Sequence, residues 1–240
     1  MEHPILSSIR RTGFTPFGWF EPSAGDAVPA DAKFVILIGN AGPDMFFRFA
    51  RERNSQTDQI DDWTRNVVGA LADDLSARAV YPFDKPHYPF LTWARRAGAG
   101  HVSPLGLNIH PTYGLWHAYR AALLFPVAFD LPMQLAGAHP CETCADKPCL
   151  TACPVNAFNG TTYNVAACAS HVGSPEGHDC LDNGCLARRA CPIGKGFTYH
   201  PYQAQFFMRA FLAARRNSAG NATYWLRSIN LKGLCDSLLR

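Results

Sequence analysis

Eight of the nine cysteines in this 240-residue chain lie between residues 141 and 191. They form two runs that each end in Cys-Pro. The first is Cys141-x2-Cys144-x4-Cys149-x3-Cys153-Pro154; after an isolated Cys168, the second is Cys180-x4-Cys185-x5-Cys191-Pro192. A fold for this chain must place these thiols, and their number is that of two iron-sulfur clusters with four thiolates each. Electron transfer is therefore the first function to consider.

The bacterial ferredoxin run is C-x2-C-x2-C-x3-C-P, and here two extra residues precede Cys149. The segment Cys-Glu-Thr-Cys-Ala-Asp-Lys-Pro-Cys-Leu-Thr-Ala-Cys-Pro resembles the ferredoxin subunits of molybdenum oxidoreductases, where a four-residue insert at this point is usual. That resemblance implies crossed ligation. Cys141, Cys144, Cys149 and Cys191 would hold one [4Fe-4S] cluster, and Cys168, Cys180, Cys185 and Cys153 the second. The x4 and x5 spacings of the second run depart from the common x2 and x3, which leaves a lost cluster or zinc open. Zinc ribbons use paired C-x2-C knuckles, of which only one is present, and a disulfide framework suits short secreted chains. Cys235 is expected as a small buried apolar residue.

Composition constrains the rest loosely. With 48% hydrophobic and 17% charged residues the chain is ordinary for one large or two smaller domains, and a net charge of +3 gives no footprint for nucleic acid. No apolar run approaches the roughly 18 residues of a membrane helix, since Ala121 to Phe129 is bounded by Arg120 and Asp130. Ser8-Ile-Arg-Arg-Thr-Gly-Phe14 faintly resembles a twin-arginine export signal, but Pro16, Glu21 and Asp26 follow where an apolar stretch would be needed. It reads as the basic turn of a short first helix. A cytoplasmic setting, where thiolates stay reduced, is expected, with no membrane partner.

Before the cysteines the pattern is α+β. Helices are expected over 5–11, 43–53, 58–76 and 90–96, and strands over 33–39, 79–81, 105–110 and 115–125, the last two separated by the turn 111–114. In the third helix Ile60, Trp63, Val67, Leu71 and Leu75 would form one buried stripe. Gly98 and Gly100 would stop the fourth. Two further helices are expected near 202–213 and 224–239.

Leu91-Thr-Trp-Ala-Arg-Arg-Ala-Gly-Ala-Gly100, Leu105-Gly-Leu-Asn-Ile-His-Pro-Thr-Tyr-Gly-Leu-Trp116 and then the two cysteine runs resemble, in the same order, the core of epoxyqueuosine reductases and reductive dehalogenases. Gly13-Phe-Thr-Pro-Phe-Gly18, Lys33 to Gly39, and Ile109 to Trp116 with Arg120 and Pro126 are similar to the methylmalonic-aciduria type C family of cobalamin-processing proteins. These resemblances imply a nitroreductase-like corrinoid-binding domain over 1–138, a dicluster ferredoxin-like domain over 139–200 and a helical tail over 201–240. They imply cobalamin as well as two [4Fe-4S] clusters, and an external low-potential electron donor such as a flavodoxin, a ferredoxin or a flavin reductase.

A corrin needs an apolar floor and a few placed polar groups. The resemblance puts these at Gly106, Leu107, Asn108, Ile109, His110, Tyr113, Gly114, Leu115 and Trp116. The backbone at Gly106 and Gly114 would allow close approach, Asn108 and His110 would reach amides, and Trp116 would offer a ring face. His110 is assigned to corrinoid contact rather than to axial ligation, the families binding the corrinoid base-off; a turn histidine is the plainer alternative. Asp84 falls where epoxyqueuosine reductases carry the aspartate that protonates substrate. Phe83, Pro86, Tyr88 and Pro89 would desolvate it, whereas a solvated turn aspartate beside Lys85 is the alternative.

Epoxyqueuosine reductases are longer and hold tRNA with a C-terminal extension, and at +3 net charge a tRNA substrate is not expected here. Reductive dehalogenases carry an export signal and a longer insert. The expected activity is reductive removal of the upper ligand of cobalamin, with reduction of a small organic substrate as the near alternative. A non-catalytic dicluster electron carrier is the competing class, although a carrier rarely needs a further 138 residues with their own core. A zinc-stabilised binding module is the third.

Overall fold

The computed structural model describes residues 2–53, 59–132 and 137–218. Its frame is a four-stranded antiparallel sheet in the order β1-β2-β6-β3, made by Thr15–Phe20, Phe34–Ala41, His117–Phe125 and Arg78–Val80. The strand β2 is apolar without alternation because both faces of the sheet are covered. Phe34, Ile36 and Ile38 face one core, with Ile5 and Ile9 of α1 (Pro4–Arg11), Phe46 and Phe49 of α2 (Asp44–Glu52) and Trp63 of α3 (Ile60–Asp74). Val35 and Leu37 face the other, where α4 (Phe90–Arg96) contributes Phe90 and Trp93. No helix among the described residues is long and apolar enough to cross a membrane.

The expected helices α1 to α4 and the strands β2, β3 and β6 are present, and three details differ. The buried face of α3 runs through Ile60, Trp63, Thr64, Val68, Leu71 and Ala72, with Val67 and Leu75 only packed against its edge. Thr64 can be buried because its hydroxyl donates to the Ile60 carbonyl at 2.7 Å. The strand expected over 105–110 shrinks to β5 (Asn108–Ile109), paired with an unexpected β4 (His101–Val102). The strand β1 went unread because Pro16 interrupts it. At the sheet edge, next to a bulge, proline's missing N–H is tolerated.

Both bulges serve the region described below. In β1 the pairing skips Phe17, and in β6 it skips Arg120, since Ile38 pairs with Ala121 and Gly39 with Tyr119. A bulge re-aims its side chain. It also brings backbones so close at Gly39 that a Cβ there would sit 2.0 Å from the Ala118 carbonyl oxygen. After α4 the chain turns through Gly98 at φ +64°, with Ala99 N–H donating to Ala94 and Gly98 N–H to Arg95, the Schellman pattern.

The cysteine segment, for which no secondary structure was expected, holds four short helices: α5 (Pro148–Thr151), α6 (Val165–Val172), α7 (His178–Asn183) and α8 (Leu186–Ala190). The last described helix, α9 (Pro201–Ser218), packs on α7 and also sends Phe206 to Phe46 at 5.4 Å and to Phe49 at 5.7 Å. It thus ties the cysteine lobe to the sheet lobe. The helix expected over 224–239 and Cys235 lie outside the described residues.

Candidate functional site

Cys168 and the seven cysteines of the two runs are all free thiols, with Cys149, Cys153, Cys180 and Cys191 buried and the others half-buried. Short helices deliver them. Cys149 sits in α5 behind Pro148, Cys168 in α6 behind the Asn164 cap, Cys180 in α7, and Cys185 and Cys191 flank α8. Each thiol feels a defined set of neighbours. Burial, then Cys191, Cys149 and Cys144, push the Cys141 thiol up to about 11, and Cys149 is raised by burial, Cys191 and Cys144. Burial, with Cys180 and Cys168 close by, likewise pushes Cys185 up to about 11. Cys168 is raised by burial, against a hydrogen bond from Tyr163, with Cys153 and Cys180 adding to the rise. The thiols therefore fall into two groups, Cys141, Cys144, Cys149 and Cys191 in one and Cys153, Cys168, Cys180 and Cys185 in the other. A small cavity of about 20 Å³ lies inside the second group, walled by Phe158, Val172, Ala187 and Met208.

The two lobes meet at a pair of glycines. A Cβ on Gly114 (φ +57°) would lie 2.0 Å from the Ile193 carbonyl oxygen, and one on Gly194 (φ +72°) 2.3 Å from the Tyr113 carbonyl carbon. The backbone space at Gly114, expected to admit a macrocycle, is occupied by the loop that follows Cys191. Arg188 completes the joint. Its guanidinium donates twice to the Leu115 carbonyl, once from Nε at 2.9 Å, and lies 4.7 Å from the Trp116 ring centroid and 4.4 Å from that of Tyr199.

Beside this joint a pocket of about 290 Å³ is lined by Leu91, Leu107, Asn108, Leu115, His117, Tyr119, Arg120, Arg188, Tyr199 and Phe207. Of the residues expected to contact a corrin, Leu107, Asn108 and Leu115 line it, and Leu107 is 44% exposed. Nothing lies within 4 Å of a Cβ built on Gly106, so the backbone there faces open space. Ile109 and Trp116 are each 1% exposed and belong to the packing. Trp116 thus presents no free face; its ring is covered by Arg188 and Tyr199. Tyr113 packs on His110 at 4.5 Å and on Phe197 at 4.7 Å.

The polar groups of the pocket are held tightly. Tyr119 donates to the Ala99 carbonyl at 3.0 Å and to Asn108 Oδ1 at 3.3 Å, which leaves the buried Asn108 Nδ2 with no partner. The His110 Nδ1 accepts the N–H groups of Thr112 at 3.0 Å and Tyr113 at 3.3 Å. Burial, reinforced by His101, lowers its pKa to about 4, so the ring is neutral near pH 7 with its proton on Nε2. Burial, with His110 and Arg188 nearby, lowers His117 to about 3. Arg120 donates to Asn40 Oδ1 at 3.2 Å and pairs with Asp61 at 3.4 Å, while Asn40 Nδ2 donates to the Tyr199 hydroxyl at 2.8 Å. Sequence reasoning left His117, Tyr119, Arg188 and Tyr199 unassigned. Only the alternation of His117 and Tyr119 along a strand could have pointed to the first two.

Asp84 is not among the residues lining this pocket. One carboxylate oxygen accepts from Arg65 at 2.7 Å and the other from the Tyr81 amide at 2.8 Å, and Arg65 lies over the rings of Tyr81 and Phe83 at 4.4 and 5.0 Å. The cation beside it is Arg65 of α3.

No protein-family profile and no curated protein sequence matches the chain. Solved structures do. Epoxyqueuosine reductase from Streptococcus thermophilus is similar with a TM-score of 0.52 and 17% identity, over 96% of this chain and 78% of that one. The C. elegans B12-trafficking protein CblC, a homologue of human MMACHC, is similar with a TM-score of 0.51 and 18% identity, over 88% of this chain and 94% of that one. The catabolic reductive dehalogenase NpRdhA gives a TM-score of 0.43 and 13% identity, over 92% of this chain and 34% of that one. The fold of this chain is therefore similar to the folds of epoxyqueuosine reductase and CblC.

Proposed function

We propose that the chain is a corrinoid-binding iron-sulfur reductase in which two [4Fe-4S] clusters carry electrons from an external low-potential donor to a corrinoid, for reductive removal of its upper ligand. The observation that carries this reading is the sorting of eight free thiols into two groups of four, each taking one member from the other Cys-Pro run: Cys191 in the first and Cys153 in the second. That is the crossed ligation of two-cluster ferredoxins. Among the described residues no three His, Cys, Asp or Glu side chains converge on a position fit for a single metal ion.

The pocket residues suit a corrinoid. Leu91, 52% exposed, and Leu107 offer an apolar shelf at its rim. Asn108 Nδ2 is a buried donor lacking an acceptor, and acetamide carbonyls around a corrin would supply one. His110 is outside the wall of the pocket, and held neutral with its proton on Nε2 it is unsuited to a charged role. When bound, the corrinoid supplies a cobalt that gains electrons and releases its upper ligand. Around it Tyr119 orients Asn108, and Arg120 and Arg188 keep the wall positive, favouring the arrival of negative charge.

Anaerobic reconstitution should load about eight irons and as many sulfides. Cys153→Ala should damage the second cluster and Cys191→Ala the first, each leaving about four irons. Stoichiometric zinc without sulfide would sink the assignment. Asn108→Ala should weaken cob(II)alamin binding measured by calorimetry, with cluster content intact.

The size of the pocket favours a second reading, reduction of a small organic substrate with Asp84 as its acid. Asp84 would then have to leave Arg65. Single-turnover assays with a chemical reductant separate the readings. Ligand removal should be unaffected by Asp84→Asn, whereas substrate reduction should fall roughly 10²- to 10⁴-fold.

A further inference from the structure

Two arginines, one from each lobe, line the pocket beside the joint. Arg120 comes from β6, where the bulge takes it out of the pairing, and Arg188 comes from α8 between Cys185 and Cys191. Both lie against rings. The Arg120 side chain is 13% exposed and its guanidinium is 5.2 Å from the Phe207 ring centroid, while that of Arg188 is 4.4 Å from the centroid of Tyr199. The Tyr199 and Phe207 rings are 5.8 Å apart, so one aromatic pair carries both cations.

The protein leaves part of this charge unbalanced. Arg188 donates to the Leu115 carbonyl, a neutral acceptor, and makes no ion pair among the described residues. Arg120 donates to Asn40 Oδ1, and its carboxylate partner Asp61 stands at 3.4 Å and is 47% exposed, a distance and a setting that give weak pairing. No aspartate or glutamate is among the residues lining the pocket. The buried Asn108 Nδ2 adds a donor without an acceptor, and Leu91, Leu107 and Leu115 make the wall apolar elsewhere.

We propose that this pocket binds a small organic acid, with its carboxylate held by Arg120 and Arg188 and its apolar body against Leu91, Leu107 and Leu115. This deepens the second reading, in which a small organic substrate is reduced, by naming the class of that substrate; it rests on that reading for turnover but not for binding. A guanidinium presents paired N–H groups that match the two oxygens of a carboxylate. The volume of about 290 Å³ stands at the lower end of small-molecule sites. Inorganic phosphate would satisfy the arginines but leave the leucines unused, so the carboxylate of an apolar molecule fits both halves of the wall.

The test is calorimetric titration of the anaerobically reconstituted full chain with benzoate, with neutral benzamide and inorganic phosphate as comparison probes. Benzoate should bind the wild type about tenfold more tightly than either, and added salt should weaken it. Arg120→Gln and Arg188→Gln should each weaken benzoate roughly tenfold or more and leave benzamide unmoved, since each removes a charge-assisted donor. Arg188→Lys, which keeps the charge without the fork, should fall between. Arg188 also holds the joint, so melting temperatures are read alongside; Arg120→Gln and the comparison of benzoate with benzamide carry the test where an Arg188 variant does not fold. Benzoate no tighter than benzamide, phosphate tighter than benzoate, or benzoate affinity unchanged in either folded glutamine variant would overturn the inference. Benzoate bound as expected by a chain that loads no iron would uphold this site and sink the reductase reading.

Discussion

His117 shows how much one buried side chain can demand of solution conditions. Its Nδ1 donates to the Gly114 carbonyl at 3.1 Å, but burial, helped by His110 and Arg188, outweighs that bond and depresses its pKa to about 3. In the unfolded chain the ring titrates near 6.5. Between those values the unfolded state binds a proton that the folded state refuses. The stabilisation is complete above about pH 6.5 and is lost as pH falls toward 3. His110, lowered to about 4, works in the same direction. Urea titrations between pH 7 and 4 should show stability falling, and His117→Gln should flatten that slope; a slope identical to wild type would mean the ring is not excluded from protonation. At the same scale, Cys153 and Cys191 were readable as candidate ligands because a thiol beside proline in a counted run has few other uses. Tyr199 and Arg188 were not, since only the fold brings residues 188 and 199 to the same wall as residue 119.

At the scale of elements, α4 depends on a loop that no periodicity marks. The indole of Trp93 donates to the Asp26 carbonyl at 2.6 Å. The Asp26 carboxylate accepts the amide and hydroxyl of Ser23, both at 2.8 Å, and pairs with Arg96 at 3.0 Å. Burial opposes the charge, yet the Ser23 and Arg96 contacts hold the carboxyl below its usual range. Its contribution is therefore present above about pH 4 and lost as pH falls through the folded value. Asp26→Asn should cost about 1–2 kcal/mol at pH 7 by chemical denaturation, a modest figure because Arg96 is half exposed. The difference from wild type should shrink in acid. Since α4 carries Leu91 to the pocket rim, corrinoid binding should weaken in step. The bulges at Phe17 and Arg120 belong to this scale as well. Alternation along β6 would put Tyr119 and Ala121 on one face, whereas the skipped residue sends Tyr119 toward the α4 side and Ala121 toward the other core.

Across the whole molecule the decisive contact is backbone on backbone. The Ile193 carbonyl fills the space where a Gly114 side chain would be and the Tyr113 carbonyl that of Gly194, and Arg188 clamps the same joint through the Leu115 carbonyl. Gly114→Val should separate the lobes, because a branched residue at φ +57° is strained and its Cβ would overlap Ile193. Limited proteolysis should cut the variant between the lobes, with a melting temperature lowered by several degrees; cleavage and melting like wild type would show that the joint tolerates a side chain. Gly106→Ala meets open space but puts an alanine at φ +72°, so it should cost a modest amount of stability while leaving the lobes docked.

The sequence alone determined the cysteine arithmetic, the helices with an apolar stripe and the doubly buried strand β2, since each is written in local spacing or in an uninterrupted apolar run. It also carried the order of motifs that foreshadowed a fold similar to those of epoxyqueuosine reductase and CblC. Tertiary structure decided which thiols are neighbours and that Trp116 is packing. It also decided that Gly114 serves the joint between lobes and that Asp84 turns to Arg65. These outcomes depend on contacts between residues far apart in the chain, whose closeness is set by how a bulged sheet and four short helices pack, and local pattern carries no information about that.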